Sequence, residues 1–312
     1  MNIVLQLILL VLGFLLLVKG ADWFVDGAAG LAGKMGIPQI VIGLTIVAMG
    51  TSAPEAAISI SSSLKGSADI AVGNVIGSNI LNILLILGIT AVITPLVMKK
   101  NTIRYEIPFL IIISSLFAWL GIRDEVISFG DGILLWACFL IYLAYLFIMA
   151  KKGESELESA EIDPNASGVK MLALLVVGSA CIVLGSNITV DAATAIARIF
   201  GMSERLIGLT IVAFGTSLPE LVTCVTAGLK KNADIAIGNI VGSNIFNILF
   251  VIGTSALITP VTYQAAFLID SFVMVGIVIL LLVLCLNKED SLKRSGGFIL
   301  LAAYLAYFIY IL

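Results

Sequence analysis

The chain repeats itself, and the repeat limits the folds that it can adopt. The segment GLTIVAMGTSAPE at residues 43–55 returns almost unchanged as GLTIVAFGTSLPE at residues 208–220. The same offset of 165 residues relates the two halves from about residue 13 to residue 95. Self-similarity at a fixed offset indicates two copies of one structural unit. We therefore expect two equivalent halves, 1–150 and 169–312, joined by the polar linker 151–168.

The composition places these halves in a lipid bilayer. Of the residues, 60% are hydrophobic and 12% are charged, and the mean hydropathy is +1.16. An α-helix needs about 20 consecutive apolar residues to span a bilayer. The sequence therefore predicts an all-α polytopic membrane protein with ten transmembrane helices. They lie near residues 3–20, 40–64, 70–94, 103–121, 130–149, 168–186, 205–229, 235–259, 265–286 and 296–312.

Each half holds five of the predicted helices, and five is an odd number. The second half must then enter the membrane from the opposite side, which makes the pair an inverted-topology repeat. Loop charges give the orientation, because Lys and Arg collect on the cytoplasmic side. With the N-terminus outside, twelve Lys and Arg residues fall in inner loops and four in outer loops. We therefore expect both termini outside and the 151–168 linker in the cytoplasm.

Two carboxylates lie inside the apolar segments, Glu55 in the first half and Glu220 at the equivalent position of the second. A carboxylate near the bilayer centre costs at least about 3 kcal/mol, so it is normally retained for function. Two of them at equivalent positions indicate one shared site with two negative charges. The chain contains no histidine, which excludes histidine proton relays and the usual ligands of zinc transport.

Each glutamate follows a predicted helix break. Pro54 has no N–H group to bond the carbonyl of Gly50, four residues earlier, and Pro219 stands in the same relation to Gly215. We expect broken helices (2/3 and 7/8) at the midplane, with carbonyl oxygens exposed beside a polar cavity. Hydroxyl groups flank both carboxylates, and they belong to Thr51, Ser52, Thr216 and Ser217.

The span after each break carries a polar stripe. Amides and hydroxyls recur every four residues, on one face of a helix, at Asn74, Ser78 and Asn82 and again at Asn239, Ser243 and Asn247. Beside each stripe, two glycines four residues apart predict close helix approach. They are Gly73 with Gly77 and Gly238 with Gly242. Carboxylate, amide, hydroxyl and carbonyl oxygens together favour a hard cation such as Ca²⁺ or Na⁺.

At these positions the chain resembles the sodium/calcium exchanger family of the calcium:cation antiporter superfamily, in a minimal prokaryotic form. The paired GTSxPE and GNxxGSN segments are similar to the two repeat motifs of that family, within regions 40–94 and 205–259. The resemblance implies an electrogenic antiporter, not an enzyme, that exchanges Na⁺ for Ca²⁺ by alternating access without a cofactor. It also implies a prokaryotic plasma (inner) membrane protein that works as a monomer in the lipid bilayer and binds no nucleic acid.

The same resemblance implies the ion ligands. Ca²⁺ would bind Glu55, Glu220, Thr51 and Thr216. Na⁺ would bind oxygen atoms of Ala48, Thr51, Ser52, Glu55, Ser78, Asn82, Ala213, Thr216, Ser217, Glu220, Ser243 and Asn247, with the two alanines contributing backbone carbonyls. Asn247 stands where potassium-dependent relatives carry aspartate, which weakens the case for K⁺ co-transport.

Other functions compete with this interpretation. A Ca²⁺/H⁺ antiporter could use the same two glutamates, because protonation would also discharge the site. A cation channel is disfavoured by duplicated helix breaks around a closed site. A membrane-embedded hydrolase is disfavoured because the sequence shows no nucleophile–base constellation and no catalytic metal motif.

Overall fold

The computed structural model describes residues 3–66, 68–152, 167–201 and 213–311, and every structural statement below concerns these ranges. Residues 153–166 of the predicted linker and residues 205–212 of the second motif region lie outside them. The described chain is almost entirely helical. Its helices are α1 Ile3–Met35, α2 Gln39–Thr51, α3 Ala53–Leu64, α4 Ile70–Ile93, α5 Thr102–Asp124, α6 Phe129–Lys152, α7 Gly168–Ile199, α8 Ala213–Thr216, α9 Leu218–Leu229, α10 Ala233–Ile258, α11 Phe267–Cys285 and α12 Arg294–Ile311.

Most of these helices are long and apolar enough to cross a membrane. By length and composition, eight of the described helices pass, or nine if the bent pair α2–α3 counts as one span. Helix α9 is apolar as well but shorter, at 12 residues. The prediction of an all-helical polytopic membrane protein is therefore confirmed, and the count of ten spans stays a prediction.

Helix α1 extends beyond the predicted span 3–20. It has 33 residues, which is about 50 Å of helix against a bilayer hydrocarbon core of about 30 Å. The apolar run stops at Lys19, but the helix continues through Asp22 and Asp26. Both carboxylates lie 2.6 Å from the Nζ atom of Lys230. The helix therefore continues 15 residues past the predicted span, and Lys230 pairs with the two carboxylates of this extension.

Two pairs of very short strands connect the loops, and the all-α prediction missed them. Strand β1 (Leu96–Val97) pairs antiparallel with β4 (Ser291–Leu292), and β2 (Val126–Ile127) pairs antiparallel with β3 (Val261–Thr262). Two residues are too few to show a strand pattern in a sequence. The offset of 165 residues converts the Leu96–Leu292 pair into the Val261–Ile127 pair. The two small sheets are thus equivalent under the sequence repeat.

Helices α1 and α7 touch through their glycines. A Cβ atom on Gly20 would lie 2.9 Å from the carbonyl oxygen of Gly178, and one on Gly185 would lie 2.8 Å from the carbonyl oxygen of Gly13. The two backbones are therefore in direct contact. Because Gly13 meets Gly185 while Gly20 meets Gly178, the helices run in opposite directions. Under the repeat, Gly13 is equivalent to Gly178, so each contact is the counterpart of the other.

The repeat equivalence does not hold for every contact. Helix α1 lies along α9, whereas α7 barely contacts α3, the equivalent of α9. We call the end of the molecule that carries Lys34, Lys152 and Gly168 the linker side, since Gly168 adjoins Lys34. Lys230, which follows α9, bonds α1 on that side. The structure is therefore closed between α1 and α9 on the linker side, whereas among the described residues α7 and α3 lack the equivalent packing.

The centre of the fold is formed by α4 and α10. Two glycines of α10 face the backbone of α2. A Cβ atom added to Gly242 would lie 2.7 Å from the carbonyl oxygen of Leu44, and one added to Gly238 would lie 2.9 Å from the Cα atom of Gly43. The predicted close approach is confirmed there, between α10 and α2. At Gly77 of α4 the close approach stays a prediction, because the equivalent partner segment, residues 205–212, lies outside the described ranges.

Candidate ion-binding site

The first broken helix bends at a serine. Helix α2 ends at Thr51, and α3 begins at Ala53 after the non-helical Ser52, with an angle of 52° between the two. Pro54 fits at this place because the N–H groups in the first turn of a helix have no intrahelical partner. Gly50 is the next-to-last residue of α2. The chain therefore forms two half-helices around one bend.

The second broken helix bends at Ser217, and Pro219 is the second residue of α9. Pro219 has no N–H group for the carbonyl oxygen of Gly215, four residues earlier. Ser186 of α7 donates a hydrogen bond of 2.9 Å to that carbonyl oxygen instead. Its equivalent on α1 is Ala21, which has no hydroxyl group. This bond thus exists in one half only, and sequence reasoning missed it.

Glu55 and Glu220 lie in the first turns of the half-helices α3 and α9. Their side chains are 1% and 0% exposed. The N-terminal end of a helix carries a partial positive charge, which favours a carboxylate at that place. The two helix breaks therefore deliver one buried carboxylate each to the interior of the membrane fold.

Two serines link the halves of the chain crosswise. The Oγ atom of Ser52 donates to Oε1 of Glu220 at 2.8 Å, and Oγ of Ser217 donates to Oε1 of Glu55 at 3.2 Å. The second bond is the repeat equivalent of the first. Each carboxylate is thus held by the bend of the other half, so the four side chains form one cluster.

Each carboxylate in this cluster keeps one oxygen atom without a hydrogen bond from the described residues. The Oε2 atoms of Glu55 and Glu220 are buried and have no hydrogen-bond partner among the described residues. A buried charged oxygen without a partner is strongly unfavourable. A cation placed against both Oε2 atoms would supply the missing interaction and offset the charge of the pair.

Two amides supply further oxygens. Asn82 and Asn247 begin π-helical turns, Asn82–Ile86 and Asn247–Ile252, and such turns are frequent at functional sites. The first turn contacts α9 and the second contacts α3, the two helices that carry the glutamates. The Oδ1 atoms of Asn82 and Asn247 are buried and, within the described ranges, lack a partner. Together with the glutamates they give four unpartnered oxygens in two equivalent pairs.

Helix α2 is tied to α10 by polar contacts beside this cluster. The hydroxyl of Thr51 donates to Oδ1 of Asn239 at 2.9 Å. The hydroxyl of Ser243 donates to the carbonyl oxygen of Ala48 at 3.4 Å. Thr51, Ser243 and the carbonyl oxygen of Ala48 therefore lie close together, and their role as Na⁺ ligands stays a prediction.

The structure also describes the backbone or the contacts of the remaining implied ligands. Nδ2 of Asn247 donates to Oγ of Ser78 at 3.3 Å, which joins α10 to α4. Ala213 begins α8, and Thr216, which is half-buried, ends it. The roles of Ala213 and Thr216 as ligands stay predictions.

Sequence reasoning also missed Asn79 and Asn244, which are completely buried between α4 and α10. Nδ2 of Asn79 donates to the carbonyl oxygen of Asn244 at 3.2 Å, and Nδ2 of Asn244 donates to the carbonyl oxygen of Asn79 at 3.1 Å. The two bonds are repeat equivalents. The duplicated tripeptide Gly-Ser-Asn carried the signal, but both asparagines lie off the polar stripe that directed attention to their neighbours.

The site is low in charge for a divalent cation. In the part of the chain that the structure describes, no group of three or more His, Cys, Asp and Glu side chains is arranged to hold a metal ion. The cluster combines two carboxylates with neutral amide, hydroxyl and carbonyl oxygens. Affinity for Ca²⁺ falls as the number of charged ligands falls. Such a site can bind a hard cation and still release it.

Known proteins resemble this chain over nearly its whole length. The family model described as sodium/calcium exchanger protein matches residues 5–148 and 170–312. The chain is 41% identical over 308 residues to the putative antiporter CaxA of Alkalimonas amylolytica, covering 96% of either protein. It is 38% identical over 309 residues to the inner membrane protein YrbG of Escherichia coli (strain K12), covering 96% of this chain and 94% of the relative.

A solved structure shares the fold. The sodium-calcium exchanger NCX_Mj, soaked with 10 mM Na⁺ and zero Ca²⁺, matches with a TM-score of 0.86 at 33% sequence identity, and the match covers 99% of both chains. The similarity in three dimensions therefore extends over nearly the full length of both proteins.

Proposed function

We propose that this chain, which belongs to the sodium/calcium exchanger family, exchanges Na⁺ for Ca²⁺ across the membrane, with Glu55 and Glu220 as shared cation ligands. The single observation that carries the proposal is the crosswise cluster at the helix breaks. Each glutamate is fixed by a serine of the other half and keeps one buried oxygen without a described partner. Two such oxygens suit one divalent cation or several monovalent ones.

Competition for these oxygens supplies the exchange. Ca²⁺ takes six to eight oxygen ligands, and it would bind both carboxylates at once, together with Thr51 and Thr216. Na⁺ ions would replace it by spreading over the carboxylates and the neighbouring neutral oxygens. Those oxygens belong to Ala48, Ser52, Ser78, Asn82, Ala213, Ser217, Ser243 and Asn247. Because Ca²⁺ and Na⁺ share the carboxylates, both cannot occupy the site fully at the same time.

The buried charge of the pair prevents leakage. Without a cation, two carboxylates would have to pass through the closed conformation uncompensated, and buried unpaired charges cost several kcal/mol. The protein therefore changes its open side when loaded with Na⁺ or Ca²⁺ and resists doing so when unloaded. More than two Na⁺ ions per Ca²⁺ would make the cycle electrogenic.

We also infer ten transmembrane helices in two inverted halves, 1–150 and 169–312. The antiparallel contact of α1 with α7, the equivalent strand pairs and the reciprocal Ser–Glu bonds support a two-fold relation between the halves. The excess of Lys and Arg on the linker side supports a cytoplasmic linker and outside termini. The inner-membrane name of the Escherichia coli relative supports a prokaryotic plasma membrane.

Transport by purified protein tests the proposal. Proteoliposomes loaded with Na⁺ and diluted into Na⁺-free buffer should take up radioactive Ca²⁺, faster when a K⁺/valinomycin potential makes the interior positive. Liposomes that carry only a pH gradient should not. Uptake driven by the proton gradient alone would refute Na⁺ coupling and favour Ca²⁺/H⁺ antiport by the same glutamates. Uptake that needs no counter-ion gradient and does not saturate would refute antiport itself.

A further inference from the structure

We infer that Asn79 and Asn244 are positioning residues, which turn the amide oxygens of Asn247 and Asn82 into the ion site. The inference rests on the proposed function, because it concerns the ligands of the same site. Asn79 is 0% exposed and Asn244 is 1% exposed. Neither belongs to the set of ion ligands, and each reaches across to the other half of the chain.

The first step is the orientation of Asn79. Its Nδ2 atom donates to the backbone carbonyl oxygen of Asn244 at 3.2 Å. A carbonyl oxygen can only accept, so the amide nitrogen of Asn79 must face it. The Oδ1 atom of Asn79 then points away from that carbonyl as an acceptor. There it receives Nδ2 of Asn247 at 3.2 Å.

The second step follows for Asn247. Its Nδ2 atom is engaged by Oδ1 of Asn79 and by Oγ of Ser78. The amide oxygen must therefore point the other way, and it is one of the buried atoms for which the described structure offers no partner. The carbonyl oxygen of Asn244 thus fixes the orientation of the Asn79 amide, and the Asn79 amide fixes the orientation of the Asn247 amide.

The other half repeats the arrangement. Nδ2 of Asn244 donates to the carbonyl oxygen of Asn79 at 3.1 Å, and Oδ1 of Asn244 accepts from Nδ2 of Asn82 at 3.0 Å. Oδ1 of Asn82 is again buried and, in the described ranges, without a partner. Two independent copies of the chain of bonds produce the same result. Asn79 of the first half controls the ligand of the second half, and Asn244 of the second half controls the ligand of the first.

The orientation matters because an amide is two-sided. Its oxygen and its NH₂ group have nearly the same shape, so only hydrogen bonds decide which one faces the site. An oxygen binds a cation, whereas an NH₂ group presents hydrogens of partial positive charge to it. Without its positioning partner, Asn82 or Asn247 could expose the NH₂ group for part of the time, and Ca²⁺ would lose a ligand.

A purely structural role would have a different signature. Buried asparagines often only join helices, and removing such a contact would disturb the site whatever residue stands at position 247. A positioning role depends on the two-sided amide. An aspartate at position 247 offers an oxygen in either orientation, so it should no longer need Asn79. The combination of Asn79→Leu with Asn247→Asp therefore separates the two roles.

The experiment measures the KM for Ca²⁺ in Na⁺-driven uptake for the wild type, Asn79→Leu, Asn247→Asp and the double variant. Loss of a group that orients a metal ligand typically costs 10- to 100-fold in affinity, so we expect Asn79→Leu to raise KM about tenfold. In the Asn247→Asp background the same change should alter KM by less than about twofold, since the carboxylate has no wrong orientation. Asn74→Leu is the matched control, because Asn74 bonds Glu55 and Ser59 rather than position 247. Its effect should be the same in both backgrounds.

Equal effects of Asn79→Leu in both backgrounds, or no effect in the wild type, would overturn the inference. If Asn79→Leu fails to fold, as judged by gel filtration, Asn79→Ser and the counterpart cycle of Asn244→Leu with Asn82→Asp provide the same comparison. Wild-type uptake reports separately on the proposed function. If wild-type uptake is absent, the exchange proposal fails, and the inference fails with it. If wild-type uptake is normal but Asn79→Leu has the same effect in both backgrounds, only the positioning role is refuted.

Discussion

Lys230 should favour the conformation in which the linker side is closed. Its Nζ atom lies 2.6 Å from carboxylate oxygens of both Asp22 and Asp26 on α1, and it donates to the Asp22 carbonyl oxygen at 3.0 Å. The repeat equivalent of Lys230 is Lys65, and the repeat equivalent of Asp26 is Asp191. Across the described ranges no ion pair joins Lys65 to Asp191. The ion bridge therefore exists on one side of a repeated architecture.

The strength of this bridge follows from its exposure. The side chains of Lys230, Asp22 and Asp26 are 25%, 38% and 53% exposed, so water and salt screen both ion pairs. Each pair should then contribute about 0.5–1 kcal/mol. The two together give about 1–2 kcal/mol, which changes an equilibrium about 5- to 30-fold. Lys230→Met removes the charge and keeps a side chain of similar length. It should therefore shift the equilibrium by that factor towards the conformation that is open on the linker side.

The assay compares Ca²⁺ KM values from the two sides of oriented proteoliposomes. The apparent affinity on one side is reduced by the fraction of protein that is not open to that side. Lys230→Met should therefore lower KM on the linker side and raise it on the opposite side, so that their ratio moves about 5- to 30-fold. Lys65→Met is the matched control and should not move the ratio in that direction. An unchanged ratio for Lys230→Met, or the same change for Lys65→Met, would refute the reasoning.

Two further changes test the site and the helix contact. Glu55→Gln and Glu220→Gln each remove half of the site's charge and should reduce Ca²⁺ uptake at least about 100-fold. Glu106 is a buried glutamate of α5 outside the cluster, so the control variant Glu106→Gln should keep the wild-type KM. Comparable losses of uptake for all three variants would contradict the site assignment. Gly178→Ala places a Cβ atom 2.6 Å from the α1 backbone. It should lower the free energy of unfolding by about 1–3 kcal/mol, and hence the melting temperature. Gly276→Ala, with no described atom within 4 Å, is its control, and equal melting temperatures for the two variants would disprove the tight contact.

The sequence predicted equivalence better than it predicted contact. The offset of 165 residues identified Glu55 with Glu220 and Ser52 with Ser217, because duplicated residues are visible in one dimension. It did not predict that Ser52 bonds Glu220 rather than Glu55, since that pairing depends on how the halves dock. Asn79 was missed for the same reason, because its partners are on the other half.

The sequence showed only part of the asymmetry between the halves. A repeated sequence describes both halves alike, whereas a single conformation treats them differently. The ion bridge of Lys230 and the bond from Ser186 to Gly215 have no counterpart in the first half of the described structure. The first reflects which side is closed, and the second reflects one replaced residue, Ala21. The replaced residue is visible in the sequence, whereas the closed side is visible only in the three-dimensional structure.

The crosswise bonds between serines and glutamates also bear on what half of this protein could do. Each half contains one carboxylate and the hydroxyl that holds the carboxylate of the other half. A fragment that ends before the linker would therefore lack the second carboxylate of the site, and it would also lack Ser217, which donates to Glu55. Two fragments expressed together, cut within residues 151–168, should complement each other, and each should be inert alone. With the inverted topology that we propose, the ancestor of the repeat would have needed to insert into the membrane in both orientations and to pair with its own inverted copy.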